Sequence, residues 1–280
     1  MFIRLMAFPN FALRTSLFSA VNELVTFASV IGIVISPVIG YFLILILVGM
    51  QIQLEKNVIQ WWAMNVLSTQ NPTKAPVFIW GLDKSHGETS ESLFEEVKVL
   101  TGKDFSLAVF DVTEWNAQFS PWSAPAVFGK EDFEGKGRDT LSFLENEFLT
   151  EIKSKFPENE VFLTGYSLAG LFSLWALYES DKFNGAVCCS SSLWFDKWDE
   201  YVLSHNIMSP SKIYMSLGDR EEKTKNKIMA KVGDRSRRQA ELLKDDPNVE
   251  KLYFEWNEGG HFDNPLKRIA KGISWIIANR

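Results

Sequence analysis

From residue 75 to residue 280, short and nearly continuous apolar runs alternate with longer stretches of helical periodicity. The runs are 77–80 (VFIW), 106–112 (SLAVFDV), 161–164 (VFLT), 185–189 (GAVCC), 212–217 (KIYMSL) and 251–256 (KLYFEW). Helical patterns fill 88–100, 138–156, 168–179, 193–204, 224–244 and 265–278. In the second of these, Leu141, Leu144, Phe148 and Ile152 recur every three or four residues; in the last, Leu266, Ile269 and Ile273 share a face. An apolar run without polar alternation suits a strand buried on both faces. The alternation therefore predicts an α/β domain, a mostly parallel sheet of about six strands with helices on both faces. In such sheets the chemistry gathers at the carboxyl ends of the strands.

Upstream, residues 24–50 carry no charge over 27 positions. At about 1.5 Å per residue, a helix of this length crosses a bilayer core, and Pro37 would kink it. The expected organisation is a flank at 1–23, a transmembrane helix at 24–50, a juxtamembrane linker at 51–74 and the α/β domain at 75–280. Arg4 and Arg14 precede the run and Lys56 follows it, so the positive-inside rule places residues 51–280 outside the cytoplasm. This makes the protein single-pass and membrane-anchored, with Trp61 and Trp62 near the interface or packed on the domain. Weaker readings are a cleaved signal peptide, a buried helix, or a start near Met64 that leaves the domain cytoplasmic.

The formal net charge of −6 argues against a nucleic-acid partner, which needs clustered Lys and Arg. The two cysteines, Cys188 and Cys189, are adjacent, which excludes a disulfide scaffold and a structural zinc site. They read as small apolar residues of a strand. The sequence leaves the oligomeric state open.

Directly after the run 161–164 comes Gly165-Tyr166-Ser167-Leu168-Ala169-Gly170. It fits the nucleophile-elbow pattern G-x-S-x-G with Ala169 in the last place. A strand-to-helix turn this tight needs small residues two positions before and after the Ser. The turn raises the Ser167 hydroxyl at a helix N-terminus, where free amides favour negative charge. On this fold the triad follows the order Ser, acid, His. His261, in Gly259-Gly260-His261-Phe262, follows the last strand and suits the general base. His86 precedes Ser167, and His205 suits a helix C-terminal cap. After the run 212–217 stands Gly218-Asp219-Arg220-Glu221-Glu222; Glu221 is favoured as the acid, with Asp219 and then Glu222 as alternatives. An oxyanion hole needs two amide donors, expected at Leu168 and, from the loop after the first strand, at Leu82.

With these pieces in order, residues 75–280 resemble the putative-esterase group of α/β-hydrolases, which includes enterochelin-esterase-like, feruloyl-esterase-like and esterase D-like proteins. The resemblance is carried by GYSLAG (165–170), SLGDREEKTKN (216–226) and EWNEGGHF (255–262), with WNAQFSPWSAPAVFGKEDF (115–133) resembling an insertion of one bacterial subgroup. It implies an ester hydrolase with Ser167 as nucleophile and His261 as base. The group's acid lies about three residues past the glycine after its strand, which points to Glu221. Many members start with an antiparallel strand pair ahead of the strand read here at 77–80, and their elbow ends in Gly rather than Ala.

The segment 111–137 joins the second strand to the longest helix and is rich in aromatics, so it reads as a wall or small lid over the site, with Trp115, Trp122 and Tyr166 as pocket candidates. The expected function is a serine esterase that forms an acyl-enzyme on a small-molecule ester and needs no metal or organic cofactor. A peptidase or amidase uses the same triad. A membrane-tethered binding module without catalysis is the reading from a different class.

Overall fold

A computed structural model describes residues 64–83 and 87–280. The run 24–50, its flank 1–23 and His86 lie outside the described residues. Among the described residues, no helix is long and apolar enough to cross a membrane.

The centre is a seven-stranded sheet. Its strands are β1 (Met64–Ser68), β2 (Val77–Asp83), β3 (Ser106–Val112), β6 (Val161–Tyr166), β7 (Gly185–Cys189), β8 (Ser211–Gly218) and β9 (Val249–Asn257). Their order is β1-β3-β2-β6-β7-β8-β9. All neighbours are parallel except β1, which pairs antiparallel with β3 from Met64 opposite Phe110 to Ser68 opposite Ser106. The expected six strands are thus seven, and the sheet starts inside the segment read as a linker. β1 escapes a sequence reading because it is a short edge strand (MNVLS) whose central residues are half-buried or exposed, so no apolar run marks it.

Strand periodicity sorts the core into two layers. Val77 and Ile79 of β2 join Ala108, Phe110 and Leu163 on one face, while Phe78 and Trp80 join Leu107, Val109 and Phe162 on the other. The second face is covered by α1 (Gly87–Thr101) and α8 (Pro265–Ala278). The first is covered by α3 (Gly137–Phe143), a π-turn at Leu144–Phe148 and α4 (Leu149–Lys155), then by α5 (Leu168–Glu179). The π-turn divides the helix expected over 138–156, and Leu141, Leu144, Phe148 and Ile152 are still all buried. α5 is buried on every side except at Glu179, as a helix without a polar face must be.

Two helices are shorter than their patterns. The helix read at 193–204 is only α6 (Trp198–Val202), because 193–197 forms turns that end in Lys197 with a left-handed backbone. The helix read at 224–244 is α7 (Val232–Asp245), preceded by short 3-10 turns. The segment 111–137 holds α2 (Trp115–Gln118) and a small hairpin of β4 (Ser123–Ala124) and β5 (Phe133–Glu134).

Gly272 of α8 lies against Val187 of β7 and Tyr214 of β8, and a side chain there would collide with both. Gly272→Val is expected to destabilise the protein by about 1–3 kcal/mol through overpacking. A thermal midpoint equal to that of the wild type would show that α8 does not approach the sheet this closely.

Candidate active site

Ser167 connects β6 to α5 with φ 58° and ψ −122°. Such a backbone is strained for a residue with a side chain. Three backbone bonds hold it: its N–H donates to the Cys189 carbonyl (3.0 Å), and its carbonyl accepts from Leu171 (3.1 Å) and Ser192 (3.0 Å). A Cβ at Gly165 would collide with the Ala169 carbonyl, which explains the small residues on either side of Tyr166-Ser167-Leu168.

His261 lies between β9 and α8. Its Nε2 is 3.1 Å from Ser167 Oγ, and its Nδ1 is 2.7 Å from Glu221 Oε2. Nδ1 faces a carboxylate and therefore carries the proton, which leaves the Nε2 lone pair for the serine hydroxyl. Glu221 opens a 3-10 turn just after β8 and is buried. Its Oε1 accepts from Ser190 Oγ (2.7 Å), the Gly218 N–H (2.7 Å) and Arg268 Nη1 (2.8 Å). Burial pushes the Glu221 carboxyl up, but the His261, Ser190 and Gly218 hydrogen bonds outweigh it and hold the group below its ordinary value of 4.5.

The other two carboxylates have different partners. Asp219 Oδ1 accepts from the Gly259 N–H at 2.9 Å, and Gly259 has a positive φ of 105°. Glu222 pairs with Arg237 at 2.8 Å. Asp219 therefore ties the β8 turn to the histidine loop, a tie reinforced by the Arg220 N–H on the Gly259 carbonyl (3.0 Å). Tyr166, read as a pocket residue, also holds this loop: its hydroxyl donates to the His261 carbonyl at 2.5 Å. Burial pushes the Tyr166 phenol up to about 12, so it stays a donor.

Leu168 opens α5, so its N–H has no partner within the helix. Leu82 lies within β2 rather than in the loop after it. The ladder of β2 with β3 runs to Asp83, but the ladder with β6 stops at Trp80 opposite Thr164. His205 Nδ1 lies 2.7 Å from the Tyr201 carbonyl just beyond α6, a capping contact. Cys188 and Cys189 are free and buried.

The aromatic segment is packed rather than loose. Trp122 Nε1 donates to the Asp196 carbonyl at 3.0 Å, and its ring lies 5.7 Å from Phe195 and 5.2 Å from Tyr201. Trp115 stands edge-on to Phe119 at 4.8 Å, and Phe119 meets Phe172 of α5 at 5.3 Å. A cavity of about 230 Å³ opens beside it, with Pro125, Val127, Trp194, Ile228 and Lys231 in its walls; Trp115, Trp122 and Tyr166 are not among its lining residues. Trp194 stands two residues past Ser192, whose Oγ is 3.3 Å from Ser167 Oγ. Among the described residues, no group of three His, Cys, Asp or Glu side chains could hold a metal ion.

Arg268 and Ser190 are the site residues that sequence reasoning misses. Arg268 did leave a trace: it shares the buried face of α8 with Gly272 and Ile276, where a cation needs an explanation. Ser190 left none, since its place depends on a positive φ of 46° after β7.

A protein-family model described as "Putative esterase" matches residues 88–263. No curated protein matches the chain. Among solved structures, the chain is similar to the siderophore hydrolase EstA from Aspergillus nidulans (14% identity, TM-score 0.60), covering 78% of this chain and 90% of that one. It is similar to an IroE-like serine hydrolase from Shewanella oneidensis (16% identity, TM-score 0.62), covering 78% of this chain and 76% of that one. It is also similar to the BES protein from Bacillus cereus (17% identity, TM-score 0.57), covering 77% and 90%. At these identities the likeness is one of fold, and the fold is α/β-hydrolase-like, with a mostly parallel sheet between helices. The family match spans more than half of the chain, which therefore belongs to the putative-esterase family and is a carboxylic-ester hydrolase by class.

Proposed function

We propose that the protein hydrolyses a small-molecule carboxylic ester through Ser167, His261 and Glu221. The observation that carries this reading is the unbroken chain from Ser167 Oγ to His261 Nε2 and from His261 Nδ1 to Glu221 Oε2. Ser167 Oγ gives its proton to Nε2 as the oxygen attacks the carbonyl carbon. Glu221 holds the imidazole in the required tautomer and balances the imidazolium. The tetrahedral oxyanion is met by the Leu168 N–H and by a second amide at the end of β2, where Leu82 stands free of the β6 ladder. The imidazolium then protonates the departing alkoxide, leaving an acyl-Ser167. A water that gives its proton to Nε2 attacks this ester, and collapse of the second tetrahedral adduct returns Ser167 Oγ–H and the free acid.

The substrate class stays at small-molecule ester. Two of the similar structures bear the names siderophore hydrolase and IroE-like serine hydrolase, but their low identity carries the fold and not the substrate. We place the aromatic segment with Trp115 and Trp122 as a wall of the substrate cleft, since α2 is anchored through Phe119 on α5, the helix that begins at the elbow. We further propose that residues 24–50 anchor the chain in a membrane, with the α/β domain on the extracytoplasmic side; the uncharged run and the flanking Arg4 and Arg14 support this.

Three outcomes are expected of the full-length chain. Wild type labels with a fluorophosphonate and turns over p-nitrophenyl butyrate. Ser167→Ala does neither, and Glu221→Gln loses roughly 10³–10⁴-fold in kcat. Folded wild type that neither labels nor turns over any ester would instead favour a binding module.

The ionised Glu221 also links stability to pH. Its carboxyl is held below the ordinary value, so its contribution is present above about pH 4.5 and is lost as pH falls through the lowered value. The gap in Tm between wild type and Glu221→Gln is expected to shrink as pH falls below about 4.5. A gap that stays constant over that range would show that Glu221 is not ionised in the native state.

Alkaline carbonate washing of membranes should leave the full-length chain in the pellet. Its quantitative release would remove the anchor.

A further inference from the structure

Arg268 is among the largest fully buried side chains, at 2% exposure. A guanidinium taken out of water needs a counter-charge and partners for its donors, and here it has both. Nη1 donates to Glu221 Oε1 (2.8 Å), Ser190 Oγ (2.8 Å) and Tyr166 OH (3.2 Å). Nη2 donates to the carbonyls of Gly260 (2.8 Å) and Glu258 (3.2 Å). One side chain thus reaches the residue before the nucleophile, the acid, and the loop that carries the base. Close approach is required to fit it: a Cβ at Gly218 would lie 2.8 Å from Nη2 and would collide with the Gly259 carbonyl.

We propose that Arg268 is a positioning residue of the hydrolysis, an inference that rests on the Ser167–His261–Glu221 reading above. It acts in two ways. Together with Ser190 and the Gly218 N–H it occupies Oε1 of Glu221, so the carboxylate cannot rotate and Oε2 is left to His261 Nδ1. Its charge also offsets that of Glu221. The imidazolium formed during proton transfer then faces a compensated ion pair and not a bare buried carboxylate, which would trap the proton on the base. The other ionisable groups around the network are neutral, engaged or, like Glu258, exposed to solvent. Asp219 accepts from Gly259, Asp263 pairs with Arg220, Glu222 with Arg237 and Lys271 with Glu255. Burial raises the Tyr166 phenol and the Cys189 thiol, each to about 12, and keeps both protonated. Glu258 contributes its carbonyl.

The test compares full-length wild type with Arg268→Gln, Arg268→Met and Arg268→Lys, using pH–rate profiles of p-nitrophenyl butyrate hydrolysis. In the Gln and Met variants kcat falls about 10–100-fold with KM within about twofold, a loss of transition-state interactions alone. Their acid limb moves to higher pH by about one unit, the size expected when a neighbouring charge is lost. Arg268→Lys keeps the charge with fewer donors, so its limb stays in place and part of kcat returns. If the Gln and Met variants do not fold by circular dichroism, Arg268→Lys and Ser190→Ala decide. Both should lose kcat without moving the limb, since each weakens the grip on Oε1 but keeps the charge. Variants that lose only thermal stability, with kcat and limb at wild-type values, would overturn the proposal. So would a Lys variant as impaired and as shifted as the Gln variant. Absence of Ser167-dependent turnover in the wild type sinks the triad reading itself, whereas an active wild type with unmoved variants sinks only the role of Arg268.

Discussion

The Glu221 carboxylate is the joint on which this end of the molecule turns. Its side chain is 4% exposed, yet it carries a charge, and four donors make that tolerable: His261, Ser190, the Gly218 amide and Arg268. A buried charge stripped of one such partner costs several times what an ordinary hydrogen bond contributes. Each donor belongs to a different segment of chain. Satisfying the carboxylate therefore fixes the turn after β8, the turn after β7, the loop before α8 and α8 itself relative to one another.

Parallel topology makes such a meeting possible. The strands β6, β7, β8 and β9 are consecutive neighbours and all run the same way, so their C-terminal turns fall side by side. Ser167, Ser190, Glu221 and His261 are the early residues of those four turns. The turn at Ser167 has a strained backbone, pinned by Cys189 at the end of β7 and by Ser192 in the turn that follows it. Strain at Ser167 is thus held by the neighbouring strand end and not by the residue itself.

This arrangement accounts for what could be read from residues alone. Buried parallel strands write themselves as apolar runs, and so β2, β3, β6, β7 and β8 are visible in the sequence, as is the elbow, whose small residues are demanded by a collision at Gly165. β9 was legible too, although it is an edge strand and half exposed, because Leu252, Tyr253, Phe254 and Trp256 make it a nearly continuous apolar run. β1 was not, for its place is set by pairing with β3, and only Val66 and Leu67 pack, partly buried, against the core. The acid stayed ambiguous among Asp219, Glu221 and Glu222, since only the 3-10 turn decides which carboxylate faces inward. Arg268 needed the same information from the other side: a cation on a buried helix face is an anomaly until its anion is located. Leu82 was placed in a loop because the apolar run ends at Trp80, while β2 continues to Asp83 with only β3 beside it.

α8 joins fold and site in one element. Gly272 lets its middle lie flat on β7 and β8, and that contact sets how deep its first turn sits against the strand ends. Pro265 fixes the first position of the helix, so the distance from the β9 turn to Arg268 has little freedom. A side chain added at Gly272 would press α8 off the sheet, and the displacement would be felt at Arg268, one helical turn away. From there it passes to Oε1 of Glu221 and the carbonyl of Gly260, and hence to His261. Packing on one face of the sheet and the proposed proton transfer at its edge are therefore coupled through a rigid helix. This is the physical reason for a close-packed glycine and a buried arginine four residues apart.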